Sequence, residues 1–420
     1  YEAYAVGGCV RDSFLGREPM DWDITTSAMP EETKALFPHT FDTGIEHGTI
    51  TVLLDHEGFE VTTYRVDGKY EDSRHPKEVI FVRNLQEDLL RRDFTINAMA
   101  YNEKEGIVDI FGGMDDLRAG IIRCVGNAQA RFSEDALRIL RGIRFAAQLG
   151  FELEDETREG MRLLAPTLRK ISAERIQVEL VKTLTSSRPD LLREAWKLGI
   201  TKEFLPEFDL AMETTQETVH HMYTVGEHIL HTLLEVRPDR ILRLTMLLHD
   251  IGKPYMKTMD ADGVAHFKGH PEKSSELANE ILHRLKFDND TIRKMTKLVR
   301  YHDHRMPVTP AHVRRAVHEI GEDLFPLYLE VRRADVAAQS MYQHKEKVAD
   351  IDGVEKLYHE IMERKECVSL KMLAVTGKDL IAAGMKPGKE IGQMLEHFLD
   401  LVLEHPELNQ KEELLKRIEL

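Results

Sequence analysis

The chain has 420 residues, of which 42% are hydrophobic and 31% charged. At roughly 150 residues per domain that length points to two to four domains, and the composition excludes a disordered chain, a collagen-like fibre and a coiled-coil rod. Net charge is −16, from 57 basic and 73 acidic side chains, so the surface as a whole is not built for a polyanion, and nucleic acid would have to follow a local basic stripe.

Short β-rich runs bounded by turn residues come first. Residues 4–7, 22–26, 49–54, 59–65, 79–82 and 121–125 read as strands. From about Ala128 helical periodicity takes over and runs to Leu420, with breakers at 187–190, 237–239 and 306–307. The fold class expected is α+β. Residues 1–125 form a head with a small mixed sheet and helices, and 126–186 a helical neck. Residues 187–306 form a helical body, and 307–420 a helical tail.

Three stretches of the head carry chemistry. Gly7-Gly8 follows a strand and opens a helix carrying Arg11. Such a turn is either an ordinary reversal or a close approach to phosphate, for which helix N–H groups and a forked guanidinium are suited. Asp21-Trp22-Asp23 leads into a strand, and residues i and i+2 of a strand share a face. The pair is either a solvated strand end or a seat for the one or two Mg2+ ions of phosphoryl transfer. In Asp88–Asp93, Arg91 and Arg92 lie beside two aspartates. That is either a surface ion-pair cluster or, beside a nucleotide, a grip on the triphosphate through Arg92.

Together, GGCVRD, DWDITT and RRDFTINA resemble the head of the class II tRNA nucleotidyltransferases, the family of CCA-adding enzymes and bacterial poly(A) polymerases. Later stretches agree in family order: Glu134-Asp135 with Arg138 and Arg141, then 171–180, and near the end 376–380, 384–388 and 391–392. The resemblance implies that Asp21 and Asp23 bind catalytic magnesium, and that Gly8, Arg11 and Arg92 contact the incoming nucleotide. It implies CTP and ATP as substrates and tRNA as the partner. Glu60 is the candidate for a third carboxylate, with a strand-end surface position as the alternative, and 70–76 resembles the family's mobile loop.

Ser133 reads as the N-cap of a long helix that carries Asp135, Arg138 and Gly142 on one face, with Arg141 and Arg144 at its side. A carboxylate only accepts and a guanidinium only donates. Adenine and cytosine each present an amino donor beside a ring-nitrogen acceptor, whereas guanine and uracil place a carbonyl where that amino group would be. An Asp135/Arg138 pair therefore suits A and C, and the unpaired polar mismatch disfavours the other two bases. The basic side chains of the neck, with Lys378, Lys386 and Lys389 near the C-terminal glycine turns, are where RNA phosphates would run.

The middle of the chain holds a second constellation. Leu247–Pro254, containing His249-Asp250, resembles the signature of HD-domain phosphohydrolases, with His228, His270 and His302 in the same order within about 221–304. Imidazoles and a carboxylate from several helices suit a second divalent transition metal. Such a module is either a phosphatase or phosphodiesterase, or a retained scaffold. The chain is thus expected to be a CCA-adding enzyme. The alternatives are a poly(A), CC-only or A-only relative, or an HD phosphohydrolase with an RNA-binding head. Oligomeric state is not encoded legibly. No window approaches the about 18 apolar residues of a membrane span. Cys9, Cys124 and Cys367 are far apart and in no CxxC pair, which fits a reducing cytoplasm. The start at Tyr1 instead of Met reads as a trimmed terminus without a leader pattern.

Overall fold

The structure, a computed structural model, describes residues 1–67 and 79–418. The loop expected over 70–76 lies outside the described residues. Internal contacts divide the chain into two units, Tyr1–Asp209 with Arg284–Lys286, and Leu210–His283 with Phe287–Leu420.

The first unit opens with nine strands: β1 (Ala3–Val6), β2 (Asp23–Thr26), β3 (Thr40–Gly44), β4 (Thr49–Leu54), β5 (Glu57–Thr63), β6 (Arg65–Asp67), β7 (Val79–Phe81), β8 (Met99–Asn102) and β9 (Gly106–Asp109). Seven of them form one sheet in the order β3-β4-β5-β2-β1-β8-β9, while β6 and β7 pair apart. The sheet is mixed: β2 and β5 run parallel, with Asp23 beside Glu60, and the other neighbours are antiparallel. Asp55 and His56 link β4 to β5 with φ of 47° and 70°, the left-handed pair that a two-residue hairpin turn demands. Under the sheet, Tyr4, Val6, Tyr64, Leu89 and Ala100 are buried together.

Three strands of the seven-stranded sheet escaped the sequence reading. Met99–Asn102 has no β-branched residue, Thr40–Gly44 ends on glycine, and Gly106–Asp109 is only four residues long, so none shows a β-rich run of the usual length. The strand expected over 121–125 shrinks to Ile121–Ile122, which pairs in parallel with Glu152–Leu153.

The neck corrects a second expectation. No single helix starts at Ser133: one helix, Ala128–Glu134, is capped by Asn127, and a new one, Leu137–Leu149, follows. Asp135 occupies the break in extended conformation, φ −139° and ψ 104°, and its Oδ1 accepts from Leu137 N–H at 3.0 Å. Its preference for capping over helix interior makes the break. Gly142 turns inward, where an added Cβ would sit 2.1 Å from Met161 Cε and 3.1 Å from Phe94.

The second unit is helical apart from a hairpin of Thr258–Met259 with Ala265–His266. One core joins helices Pro310–Ile320, Phe325–Ala337 and His344–Glu363 around Phe325, Val317 and Ile351. Another gathers Phe398, Leu399 and Val402 of helix Lys389–Glu404 with Leu380. The expected breakers separate helices: 237–239 lies between Val225–Glu235 and Arg240–Leu248, and 306–307 between Asn289–Tyr301 and Pro310–Ile320.

Candidate active site

A cleft of about 530 Å³ in the first unit gathers residues from widely separated stretches: Gly8, Arg11, Asp21, Asp23, Arg92, Asp135, Arg138, Arg141 and Arg144, joined by Gly7, Asp93, Asn97, Phe145 and Arg175. At its floor, Gly7 turns from β1 into the short helix Gly8–Phe14 with φ 82° and ψ −129°. That conformation suits glycine, and a Cβ there would meet Arg92 Nη1 at 3.0 Å. Gly7, more than Gly8, is therefore the residue that must stay bare.

Asp21 and Asp23 both face the cleft, while Trp22 between them turns into an apolar depression with Phe14 and Tyr101. The strand alternation inferred from the sequence holds here, although β2 itself begins only at Asp23. Burial raises the Asp23 carboxyl above its usual range, with Asp21 adding to the effect and Arg92 opposing it. Two convergent carboxylates, one of them already short of solvation, are a donor set suited to a hard divalent cation. Glu60 occupies the register position beside Asp23, but it is exposed and does not line the cleft.

The arginines are held in place by partners that the sequence did not reveal as such. Asp88 is fully buried: its carboxylate lies 2.8 Å from Arg91 and 3.5 Å from Arg92 and accepts from Thr25 at 3.1 Å. This is an anchored cluster, not a surface one. Arg11 donates to Asn97 Oδ1 at 2.6 Å and pairs with Asp12 at 2.8 Å. Arg141 pairs at 2.6 Å with Asp93. Burial works against the Asp93 carboxyl, but Arg141 and Asn97 hold it at about 2. Arg144 pairs with buried Glu179 at 2.6 Å and lies 4.0 Å over the Phe145 ring, with Arg11 at 5.1 Å and Arg141 at 5.3 Å. Three guanidiniums around one ring form a positively charged wall.

Asp135 and Arg138 meet the cleft across the helix break. Arg138 is aimed by Glu134 at 2.6 Å and by the carbonyls of Arg131 and Arg91 at 3.1 and 2.8 Å. Asp135 is aimed by Arg175 Nη2 at 2.7 Å.

The family model of the poly A polymerase head domain matches residues 3–123, that of the RNA and SrmB-binding site of polymerase A 150–212, and that of tRNA nucleotidyltransferase domain 2 269–418. A CCA-adding enzyme of Limosilactobacillus reuteri is 34% identical over 424 residues, covering 100% of this chain and 93% of the relative. One from Streptococcus thermophilus is 35% identical over 422 residues, covering 99% and 92%. The chain belongs to the CCA-adding enzyme family. It is a nucleotidyltransferase, with the α+β architecture of that family. The crystal structure of the Bacillus stearothermophilus CCA-adding enzyme in complex with CTP superposes with a TM-score of 0.71 at 28% identity, covering 99% of this chain and 93% of that one. The Thermotoga maritima CCA-adding enzyme complexed with tRNA shares the fold at 22% identity and a TM-score of 0.60, covering 99% and 91%.

This family member carries a second cluster in its other unit. His228, His249, Asp250, His270 and His302 are all buried. The Nε2 atoms of His270 and His302 lie 3.3 and 3.4 Å from Asp250 Oδ1, and those of His249 and His228 lie 3.3 and 3.5 Å from Oδ2. Every Nδ1 is instead within hydrogen-bonding distance of a main-chain carbonyl, of Ala338, Met246, Phe267 or Val299. With the Nδ1 proton on that bond, each Nε2 offers a lone pair inward, the orientation of metal-ligating histidine. Asp335, missed in the sequence, completes the ring 3.0 Å from His228. Lys253 sits 2.7 Å from Asp250. Burial works against the Asp250 carboxylate, yet Lys253 holds it well below the ordinary range. No helix among the described residues is long and apolar enough to cross a membrane.

Proposed function

We propose that this chain adds CMP and AMP from CTP and ATP to the 3′ end of tRNA, without a nucleic-acid template and with release of pyrophosphate. One observation carries the reading: the Asp21/Asp23 pair, the arginine wall and the Asp135/Arg138 pair line a single cleft. Asp21 and Asp23 would hold Mg2+, and Glu60, in register beside Asp23 but outside the cleft lining, is the candidate for a third carboxylate. Magnesium bound there would lower the pKa of the attacking hydroxyl and offset charge on the α-phosphate and leaving group. Arg92, Arg11 and the N–H of Gly8 receive the triphosphate. Arg141 and Arg144 add positive potential, and Phe145 offers a flat apolar face beside it. Asp135 accepts from the amino group of C or A while Arg138 donates to the adjacent ring nitrogen. The rigid partners of both side chains support selection by a fixed donor–acceptor pattern, since little reorganisation is needed when the base arrives.

In this reading residues 1–125 are the transferase head and 126–186 the neck that reads the base. The tail from 307 contacts tRNA, with the body of 187–306 before it. Three buried free cysteines fit a reducing, cytoplasmic setting. Asp21→Ala or Asp23→Ala should abolish nucleotide incorporation while tRNA binding stays nearly intact; near-normal turnover by either variant would contradict the assignment of the metal seat.

A second reading rests on its own observation, the four inward-facing Nε2 atoms around Asp250. His228, His249, Asp250, His270 and His302, with Asp335, would hold a divalent transition metal and support hydrolysis of phosphate esters. Metal content of the chain before and after His249→Ala with Asp250→Ala tests it.

A further inference from the structure

We propose that a second anion subsite lies beside the pocket over the histidine–aspartate cluster, where Lys347 stands with Arg305 and His220, and that the ligand spanning the two is a phosphate ester carrying a second phosphate group. The proposal deepens the metal reading just given and rests on it.

The pocket, about 560 Å³, is lined by Asp250, His270, His302 and Asp335 and also by His220, Arg305 and Gln339; Lys347 borders a smaller cavity of about 60 Å³ that shares Arg305, Asp335 and Gln339 with it. Lys253 serves the cluster. Its Nζ lies 2.7 Å from Asp250 and 3.0 Å from Gln216 Oε1, so one phosphate at the cluster already has a cation next to it. Lys347 is different. It is only 9% exposed, yet its hydrogen-bond partners are neutral: Gln339 Oε1 at 2.8 Å and His220 Nδ1 at 3.5 Å. Burial, then the nearby Arg305, lower its pKa. Burial first, then Lys347 and Arg305, lower that of His220. Asp303 is shared between Arg305 and Arg332 at 3.5 Å each, and exposed Asp350, one turn along the Lys347 helix, makes no ion pair with it among the described residues. Asp335 and Asp303 act on Lys347 only through space, opposing those shifts; a buried ammonium with no carboxylate in contact is costly to keep, and a ligand phosphate would supply that contact.

Gln339 ties the cluster and the subsite together. Its Nε2 donates to Asp335 Oδ2 at 3.0 Å while its Oε1 accepts from Lys347. One amide and two hydrogen bonds thus separate a cluster carboxylate from the subsite cation. That span is comparable with the distance between phosphates on the two sides of one ribose.

The test uses the full chain loaded with manganese, titrated calorimetrically with three probes: adenosine 3′-monophosphate, adenosine 3′,5′-bisphosphate, and the 3′-phosphorylated dinucleotide ApAp, whose second anion is a diester. The same titrations on His249→Ala with Asp250→Ala subtract nucleotide binding elsewhere. The bisphosphate or the dinucleotide should bind roughly ten-fold tighter than the monophosphate, the scale of one charge-assisted hydrogen bond. Preference for the dinucleotide points to an RNA 3′ end, and preference for the bisphosphate to a free nucleotide. Lys347→Met should erase the advantage with manganese content unchanged, and Lys347→Arg should keep it. Bound manganese with equal affinity for all three probes overturns the subsite alone, as does an advantage that survives Lys347→Met. A chain that takes up no manganese overturns the metal reading and the subsite with it.

Discussion

Replacing Arg175 by Met should loosen nucleotide selection without touching the metal seat. Arg175 Nη2 holds Asp135 Oδ2 at 2.7 Å, and the two side chains are 24% and 17% exposed. Such a charge-assisted bond is worth roughly 1.5–3 kcal/mol, and partial solvent access favours the lower end. Asp135 keeps its bond from Leu137 N–H, so the carboxylate stays near the cleft but loses its aim. About 1.4 kcal/mol of lost discrimination is tenfold. The ratio of kcat/KM for CTP over UTP, measured on a tRNA ending one step before CCA, should therefore fall about tenfold, mainly through CTP. Arg175→Lys should recover only part, because an ammonium cannot reproduce the fork. If the folded Met variant kept its ratio, or lost activity equally with all four nucleotides, Arg175 would be a structural residue and the aiming argument would be wrong.

Other expectations concern the surroundings. Arg138→Ala should weaken use of both ATP and CTP and relax rejection of GTP and UTP, read from incorporation with each nucleotide. Asp93 is held at about 2 by Arg141 and Asn97 against burial, so its folded-state pKa lies below the unfolded value. The stabilisation, roughly 2 kcal/mol, is present above about pH 4 and is lost as pH falls towards 2; acid unfolding of Asp93→Asn should lack that part of the slope. His249→Ala with Asp250→Ala should leave nucleotide addition largely intact, assayed below the variant's melting temperature, and should remove any metal-stimulated phosphate-ester hydrolysis. Gly142→Val should destabilise by about 1–3 kcal/mol through overpacking against Met161 and Phe94, visible in denaturant titration.

The chemistry was more legible than the frame around it. Asp21, Asp23, Arg11, Arg92 and Asp135 stand in short motifs that are ambiguous one by one but point the same way together, and all of them line the cleft. Their supports were hidden because the contacts are distant in sequence: Asn97 reaches Arg11, Glu179 reaches Arg144, and Arg175 reaches Asp135. The break at Asp135 replaces the helix start expected at Ser133. The signal was present in a carboxylate able to cap Leu137 from the break, but Ser133 offered an equally good cap two residues earlier. Asp335 carried no local mark at all. It sits in the last turn of helix Phe325–Ala337 among ordinary residues, and only packing brings it beside His228.

The most direct measurement of the central claim is sequencing of RNA 3′ ends after incubation with each labelled nucleotide. The substrates are tRNAs ending before, within and after CCA. The account predicts that each incomplete tRNA is brought to CCA and then left alone, that C and A are used in that order, and that UTP and GTP are refused. Adenosine runs, a stop after CC, addition of A only, or extension beyond a finished CCA end would contradict it.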